Sequence, residues 1–450
     1  MASKRQTSQR SSPLEAFATE VVRTLDKAGY RALFAGGCVR DRLLGKEPKD
    51  YDVATSATPD EVQALFKRTV EVGKTFGVVR VLGKERENPP QVEVATFRTE
   101  SGYSDGRHPD QVAFSNEVED VKRRDFTING LLYDPLKDEV VDHVGGREDL
   151  QRRRIRAIGD PRERFREDKL RLLRAIRFAA NLGFEIDGPT LAAIRKEAPT
   201  LTQVSAERIR DELVKLLTGA DPRRGLELLK ETRLLKHVLP DVEGLAGVPQ
   251  PPEFHPEGDV WVHTLLLLGQ LENPSETLVL GALLHDVGKP ATFTETDRIR
   301  FNEHEKVGAQ MSEKILKELR FPNETVERVT ELVRQHMAFK DAPHMRPARL
   351  KRFLRMPRFE EHLELHRIDC LACHGKLDTY EWLKEKLAAM SQEQLKPKPL
   401  LTGEDLKRLG LAPGPRFKAI LTDVEDRQLE GSLASRQEAL EYVRKTYVNG

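Results

Sequence analysis

The stretch "LFAGGCVRDRLLGKEPKDYDVAT", residues 33–55, constrains the fold of this chain more than any other segment. An apolar run ends at Gly36 and Gly37, a helical pattern follows, and Asp50 and Asp52 lie on a predicted short strand. Because side chains alternate along a strand, the two carboxylates face the same side. Carboxylates so placed can share divalent cations such as Mg²⁺, while the glycines let the backbone approach a phosphate at a helix start. The stretch therefore predicts a site for two-metal phosphoryl or nucleotidyl transfer.

A third carboxylate for this site is Glu93 in "QVEVATFR", where it stands between two valines on another predicted strand. A buried carboxylate there needs a partner, and a metal ion is one candidate. The alternative is a strand-edge residue that faces solvent.

The distribution of helix and strand patterns predicts an α+β chain with several domains. Residues 1–12 are polar and predict a disordered tail. Residues 13–158 alternate helices with short β-branched runs, whereas strand signals fade after residue 158. We predict a helical region over 159–243, a Pro/Gly-rich linker over 244–258, a helical domain over 259–392 and a helical C-terminal module over 393–450.

Composition restricts the cellular setting. The sequence has no apolar run near the ~20 residues that cross a membrane and no signal-peptide pattern. Its three cysteines do not form a disulfide framework. We therefore expect a cytoplasmic protein with no membrane partner. Residues 147–177 are rich in arginine, and this stripe could hold a phosphate backbone or form a solvated helix face.

Four motifs appear in order along the chain, the first of them in the opening stretch: "GGCVRDRLLG" with "DYDVAT", "RRDFTINGLLYDP", "GDPRERFREDKLRLLRAIRFA" and "SAERIRDEL". Together they resemble the motif series of the class II tRNA nucleotidyltransferases and bacterial poly(A) polymerases, over residues 20–220. The resemblance implies that an RNA 3′-hydroxyl attacks the α-phosphate of a nucleoside triphosphate, with Asp50 and Asp52 as Mg²⁺ ligands. It implies a small mixed β-sheet nucleotidyltransferase head followed by an all-α neck and body. The residues that it assigns to nucleotide binding are Gly36, Gly37, Arg40, Arg124, Asp125, Asn129, Asp168, Arg171, Arg174 and Arg177.

The motif "EDKLR" is the predicted reader of the base. Asp168 and Arg171 are three residues apart in a helical pattern and should share a helix face. A carboxylate accepts from the exocyclic amine of cytosine or adenine, and a guanidinium donates to the ring acceptors. Uracil and guanine present an oxo group to the carboxylate, so side chains alone can select C and A.

Members of this family add CCA, CC, A or poly(A). The segment "TFRTESGYSDGRHPDQVAF", residues 96–114, resembles a flexible loop that CC-only members lack. Residues 72–81, "VGKTFGVVRV", stand where enterobacterial poly(A) polymerases carry an arginine-rich stretch. We therefore predict addition of CCA to tRNA from CTP and ATP. An A-adding enzyme and a poly(A) polymerase are the alternatives, and the sequence does not predict the oligomeric state.

The second half of the chain contains a histidine pattern that resembles the H…HD…D series of HD-domain phosphohydrolases, which places an α-helical HD domain before the short helical tail. Its predicted metal ligands are His263, His285, Asp286, His304, His336 and Asp369. Such residues can hold Ni, Co or Mn and activate water against a phosphoester. A second alternative function is therefore phosphohydrolysis of an RNA 2′,3′-cyclic phosphate or of nucleotides. "CLACH", residues 370–374, matches a haem-attachment pattern, but we interpret it as ordinary helix residues.

Overall fold

A computed structural model describes residues 12–73, 77–102, 111–253, 255–256 and 258–448. The chain forms two compact units, residues 1–240 and 241–450. The finer domain boundaries at residues 158, 243, 258 and 392 stay predictions. Among the described residues, no helix has the length and apolarity needed to cross a membrane.

Ser12, the last residue of the predicted N-terminal tail, belongs to the first helix as its cap. Residues 1–11 lie outside the described residues, but Ser12 caps the first helix, and its Oγ accepts the Glu15 N–H at 3.2 Å. Serine is a preferred cap because its hydroxyl satisfies a free N–H of the first turn. Residues 74–76 and 103–110, within the two stretches that separate the family members, also lie outside the described residues.

The first unit is built on a mixed sheet. Its strands are β1 Ala32–Ala35, β2 Asp52–Thr55, β3 Thr69–Gly73, β4 Val78–Leu82, β5 Gln91–Thr96, β6 Arg98–Ser101, β7 Gln111–Phe114, β8 Leu132–Asp134, β9 Glu139–Val141, β10 Arg154–Ile155 and β11 Glu185–Ile186. Seven of them form one sheet in the order β3-β4-β5-β2-β1-β8-β9, and β6–β7 and β10–β11 pair separately. Only β2 and β5 pair in parallel within the large sheet. This arrangement confirms the predicted mixed sheet.

Helices alternate with the strands in the first part of this unit and make up most of its second part. They are α1 Pro13–Lys27, α2 Gly37–Leu43, α3 Pro59–Leu65, α4 Glu117–Lys122, α5 Gly146–Gln151, α6 Pro161–Glu167, α7 Arg171–Leu182, α8 Gly188–Glu197, α9 Ala206–Leu217, α10 Pro222–Glu231 and α11 Leu235–Val238, with α12 Pro240–Glu243 where the units meet in sequence. Short 3₁₀ turns cover Thr127–Asn129 and Ala198–Gln203. The all-α region after the head is as predicted.

The prediction of one helix through "EDKLR" is wrong. α6 ends at Glu167, and Asp168 has extended backbone angles, φ −138° and ψ 105°. Its Oδ1 accepts the Leu170 N–H at 3.1 Å, and its carbonyl accepts the Arg171 N–H at 3.0 Å. Aspartate competes with a helix in this way because its short side chain bonds nearby backbone groups. Asp168 and Arg171 therefore flank a turn and do not share a helix face.

The second unit is helical apart from one hairpin. Its helices are α13 Val260–Leu268, α14 Glu276–Leu284, α15 Lys289–Thr292, α16 His304–Glu318, α17 Asn323–Gln335, α18 Pro347–Leu354, α19 Phe359–Cys373, α20 Asp378–Ala389, α21 Gln392–Leu395, α22 Gly403–Arg408, α23 Pro415–Glu430 and α24 Arg436–Val443, with a 3₁₀ segment His336–His344 and a π turn Arg444–Val448. The hairpin strands are β12 Phe293–Glu295 and β13 Ile299–Phe301. The HD domain is helical as predicted except for this hairpin. Its strands are rich in β-branched and aromatic residues, and Arg300 donates to Asp297 at the turn.

Candidate functional sites

Three carboxylates, Asp50, Asp52 and Glu93, lie close together on the central strands β2 and β5 of the large sheet and just before β2. We call them the carboxylate edge. Asp52 is the first residue of β2 and lies beside Glu93 of the parallel strand β5 in the register of the sheet. Asp50 precedes the strand, which begins two residues later than predicted, yet Asp50 and Asp52 line the same cavity. The side chain of Asp52 is exposed on the cavity wall, yet desolvation and the charges of Asp50 and Glu93 together raise its pKa to about 6. Such a cluster favours the arrival of a cation.

Glu93 has a partner of its own. The Nη2 atom of Arg80, on β4, lies 2.7 Å from its Oε1. Glu93 also lines a second depression together with Asp50 and Asp52. Glu93 is not on an edge strand, because β5 lies between β4 and β2, but its side chain is 45% exposed. Its role as a third metal-binding carboxylate stays a prediction.

A glycine turn closes one side of the cavity. Gly36 has φ +75° and directly precedes α2, which begins at Gly37. A Cβ atom added to Gly36 would lie 3.4 Å from Arg124 Nη1 and 3.9 Å from Asp52 Oδ2. These distances are ordinary van der Waals contacts, so it is the positive φ that requires glycine, since other residues are strained there. The backbone can thus pass directly over the carboxylates.

The cavity, of about 540 Å³, is lined by alternating arginines and carboxylates. Asp125 is buried and accepts hydrogen bonds from Asn129 Nδ2 at 3.1 Å and Arg174 Nη2 at 2.6 Å. Burial alone would raise the pKa of Asp125, but the Arg174 charge and these hydrogen bonds lower it to about 2. Arg40 donates to Asn129 Oδ1 at 2.9 Å. Asp125 therefore stays ionised and orients its neighbours.

Arg124 lies beside the glycine turn and close to the carboxylates. Its Nη2 atom donates to Asp120 Oδ2 at 3.0 Å, and burial leaves its Nε without a hydrogen-bond partner. Burial would raise the pKa of Asp120, but the charges of Arg124 and Arg123 lower it. A cationic side chain held in this way can meet a phosphate that lies on the carboxylate edge.

Asp168 and Arg171 both line the cavity, but each is already paired. The Nη2 atom of Arg208 lies 3.0 Å from both oxygens of Asp168. Arg171 is buried and donates to Glu167 Oε2 at 2.8 Å and to the Arg123 carbonyl at 2.9 Å. Arg208 was not predicted, although it lies within the motif "SAERIRDEL" that marked this region. Its contact to Asp168 spans 40 residues and leaves no local signal.

Of the predicted nucleotide contacts, Arg177 is the exception. It does not line the cavity: it pairs with Glu212 Oε2 at 2.7 Å and lies over the ring of Phe178. On α7 it is three residues beyond Arg174, which reaches Asp125. Arg177 thus braces α7 against α9, and its role in nucleotide binding stays a prediction.

The second unit brings all six HD-pattern residues together. His263 Nε2 lies 3.1 Å from Asp369 Oδ1 and 3.2 Å from His285 Nε2. His304 Nε2 lies 3.2 Å from His336 Nε2 and 3.4 Å from Asp286 Oδ1. Asp286 Oδ2 lies 3.2 Å from His285 Nε2. One carboxylate therefore stands between two groups of imidazoles. We call these six residues the HD centre.

The imidazoles of the HD centre are arranged as metal ligands. Nδ1 of His285, His304 and His336 lies 2.6–2.9 Å from a backbone carbonyl of its own helix or hairpin. A carbonyl only accepts, so these nitrogens carry the protons and each Nε2 presents a lone pair. The facing Nε2 atoms of His304 and His336 are both acceptors, and a cation between them would satisfy both. Burial lowers the pKa of His336 to about 3, which keeps it neutral.

Asp286 carries the charge of this centre. Burial would raise its pKa, but the charge of His285 in its protonated form and the Lys289 ammonium hold the pKa well below its usual range. Its buried Oδ2 accepts no well-directed hydrogen bond, although Lys289 Nζ lies 2.6 Å away. Lys289 was not predicted. The centre borders a cavity of about 400 Å³ that Arg300, Lys340 and Lys289 also line, so an anionic group fits beside it.

Comparisons with known proteins match three family models to successive parts of the chain. The chain matches the Poly A polymerase head domain over residues 32–156, the probable RNA and SrmB-binding site of polymerase A over residues 183–245 and the HD domain over residues 259–373. A CCA-adding enzyme from Levilactobacillus brevis is 37% identical over 430 residues, 94% of this chain and 96% of the relative. One from Enterococcus faecalis is 35% identical over 433 residues, 94% of each chain.

Solved structures give the same result. The Bacillus stearothermophilus CCA-adding enzyme in complex with CTP is similar over 98% of this chain and 100% of that chain, with 30% identity and a TM-score of 0.74. The Thermotoga maritima CCA-adding enzyme complexed with tRNA is similar over 97% of each chain, with 19% identity and a TM-score of 0.60, and supports the fold. With full-length relatives above 30% identity, this chain belongs to the family of CCA-adding enzymes, which are nucleotidyltransferases.

Proposed function

We propose that this chain adds CCA to the 3′ end of tRNA from CTP and ATP, without a nucleic-acid template. The terminal 3′-hydroxyl attacks the α-phosphate of the nucleotide, a phosphodiester bond forms, and pyrophosphate leaves. The observation that carries the proposal is the meeting of Asp50, Asp52 and Glu93 beside the arginine-lined cavity. tRNA, CTP and ATP are thus the partners, and the cytoplasm is the proposed location.

The carboxylate edge suits Mg²⁺, because its donors are oxygens and the raised pKa of Asp52 records repulsion that a cation would relieve. Asp50 and Asp52 would hold the ions, with Glu93 as a third carboxylate. When bound, two Mg²⁺ ions supply charge neutralisation at the phosphates and activation of the attacking hydroxyl. The chain itself supplies Arg124 and Arg40 for the triphosphate and the Asp125–Asn129 pair for the ribose side of the cavity.

Base choice is assigned to Asp168 and Arg171. The Asp168 carboxylate accepts from the exocyclic amine of cytosine or adenine, and Arg171 donates to the ring. The contact with Arg208 fixes the direction of the Asp168 carboxylate. Uracil and guanine would leave that carboxylate facing an oxo group, a mismatch that costs about 1–3 kcal/mol.

The experiment is a 3′-end assay with purified protein and Mg²⁺. Three tRNA transcripts, ending at the discriminator base, at C and at CC, are each given CTP and ATP separately and together. We expect completion to CCA on all three, followed by a stop. A single A added only to the CC-ended transcript would replace the proposal by A addition. A long A tail would replace it by poly(A) synthesis.

A second function is favoured by one observation: His304 and His336 face each other with Nε2 lone pairs 3.2 Å apart. We propose that the HD centre binds Ni, Co or Mn and hydrolyses a phosphoester such as an RNA 2′,3′-cyclic phosphate. The test is reconstitution of metal-free protein with each ion, followed by incubation with a tRNA that ends in a 2′,3′-cyclic phosphate. Bound metal with no hydrolysis in any form would reject the hydrolase and keep the metal site.

A further inference from the structure

A second donor cluster lies beside the HD centre. Cys373 Sγ is 3.4 Å from His255 Nδ1 and 3.6 Å from His263 Nδ1, and the three donor atoms all lie within 4.8 Å of one another. His255 precedes α13, His263 lies within α13, and Cys373 is the last residue of α19. The atoms differ from those of the HD centre, because His263 faces that centre with its Nε2.

The spacing of this cluster fits a tetrahedral metal ion. Zinc binds thiolate sulfur at about 2.3 Å and imidazole nitrogen at about 2.0–2.1 Å, so a tetrahedral angle places the two ligand atoms about 3.6 Å apart. The two sulfur–nitrogen distances of 3.4 and 3.6 Å match that separation. The rings of His255 and His263 are nearly perpendicular, 5.0 Å between centroids. His255 and Cys373 also line the cavity, which leaves room for a water as fourth ligand.

We infer that His255, His263 and Cys373 form a thiolate metal site for Zn²⁺ or a similar borderline-soft divalent cation, distinct from the HD centre. The donor set separates the two sites chemically. The HD centre offers imidazole nitrogens and carboxylates, whereas sulfur selects ions that form strong thiolate bonds. Binding converts the Cys373 thiol to a thiolate and releases one proton to solvent.

The shared histidine couples the two sites. A neutral imidazole has one lone pair and one N–H, so a cation on Nδ1 of His263 leaves the proton on Nε2. That N–H would donate to Asp369 Oδ1, 3.1 Å away. A cation at the thiolate site therefore removes His263 from the HD centre. This last step rests on the metal binding proposed above for that centre, whereas the thiolate site itself does not.

The test is a Co²⁺ titration of the metal-free, full-length protein, followed by absorption spectroscopy. Cobalt bound to a thiolate gives a sulfur-to-metal charge-transfer band that nitrogen and oxygen ligands do not give. We expect this band in the wild type, its loss in Cys373→Ser, and its bleaching by Zn²⁺ but not by Mg²⁺. His255→Gln, which changes a residue outside the helices, should weaken the band without unfolding the protein.

Cys370→Ser is the matched control. Cys370 is on the same helix and is buried, and its sulfur lies 3.7 Å from the imidazole of His366, which belongs to neither donor cluster. This variant should keep the band. His304→Ala should also keep it while weakening the HD centre, which separates failure of one site from failure of the other. Absence of the band in the wild type, or its persistence in Cys373→Ser, would overturn the inference.

Discussion

The carboxylate edge of the first unit and the HD centre of the second surround their aspartates in opposite ways. Asp52 is exposed on the cavity wall beside two other carboxylates, and desolvation together with their charges raises its pKa to about 6. Asp286 is buried, and the charges of a protonated His285 and of Lys289 hold its pKa well below the usual range. The carboxylates of the first site thus lack a counter-charge until a cation arrives with the nucleotide, whereas the second site is organised around a charge that it already stabilises. We expect a metal that comes and goes with substrate in one and a resident metal in the other.

The largest expected effect tests the first half of this comparison. Asp52→Asn should lower nucleotide addition by at least about 10²–10³-fold, the range for removing one electrostatic contact to the reacting groups. The initial rate of CTP incorporation measures this. Asp26→Asn, which changes an exposed carboxylate on α1, should keep the wild-type rate. A D52N enzyme of normal rate would remove Asp52 from the mechanism.

The same variant carries a stability prediction of the opposite sign. Because folding raises the pKa of Asp52, the ionised carboxylate costs stability as pH rises from about 4 through about 6. Metal-free Asp52→Asn should therefore unfold at a higher temperature than the wild type at pH 7.5, and at the same temperature near pH 4. Calorimetry without Mg²⁺ measures both. A lower unfolding temperature at pH 7.5 would contradict the inference that the ionised Asp52 carboxylate destabilises the metal-free protein.

The second half of the comparison is tested by Asp286→Asn. Asp286 contacts both groups of imidazoles, so we expect affinity for Ni or Mn to fall by at least about 100-fold, more than outer-shell changes cost. Metal content after dialysis measures it, and nucleotide addition should not change. His362→Gln, at a buried histidine outside the centre, is the control. Retention of full metal content would mean that the imidazoles alone hold the ions.

A paired carboxylate gives a smaller, structural effect. Asp125→Asn should lower the free energy of unfolding at pH 7 by about 2 kcal/mol, the contribution of a hydrogen bond to a charged group. Its pKa is lowered to about 2, so this stabilisation is complete above about pH 4 and is lost as pH falls toward 2. Denaturant unfolding at pH 7, 5 and 3 measures the difference. An unchanged difference at pH 3 would argue against ionised Asp125 as its source.

The smallest effect concerns base choice. Asp168→Asn places an amide that can donate where the carboxylate only accepts, so the preference for CTP over UTP should fall about 10-fold. Competition between the two nucleotides on a tRNA that lacks CCA measures it. Glu163→Gln, at an exposed carboxylate of α6, should leave the preference unchanged. If both variants discriminate equally between CTP and UTP, the side chain that recognises the base lies elsewhere in the cavity.

Local pattern predicted the parts of these sites that depend on one or two neighbouring elements. The "AGG" turn and the strand at Asp52 follow from alternation and from glycine chemistry, and the six HD-pattern residues follow from a motif. The break at Asp168 was missed, because "FREDKLRLL" contains no proline or glycine and only the local bonds of one aspartate end the helix. Arg208 was missed because its contact is formed across two helices.

The thiolate cluster illustrates a different limit. His255 lies in a Pro/Gly-rich connection and Cys373 in a "CLACH" sequence that we interpreted as ordinary helix. No spacing rule connects two residues 118 positions apart. The packing of α13 against α19 brings them together. This packing is a tertiary contact, and the hydrophobic periodicity of a single sequence does not predict it.

The parallel pairing of β2 and β5 has a consequence for how this protein can vary. Asp52 and Glu93 are neighbours because of the ladder between the strands, not because of the length of chain that joins them. The intervening residues form α3 and the antiparallel strands β3 and β4, on the outer side of the sheet. Insertions or deletions there would leave the carboxylates at the same separation. Evolution, or a protein engineer, can thus change the segment between β2 and β5 while the reacting groups keep their positions.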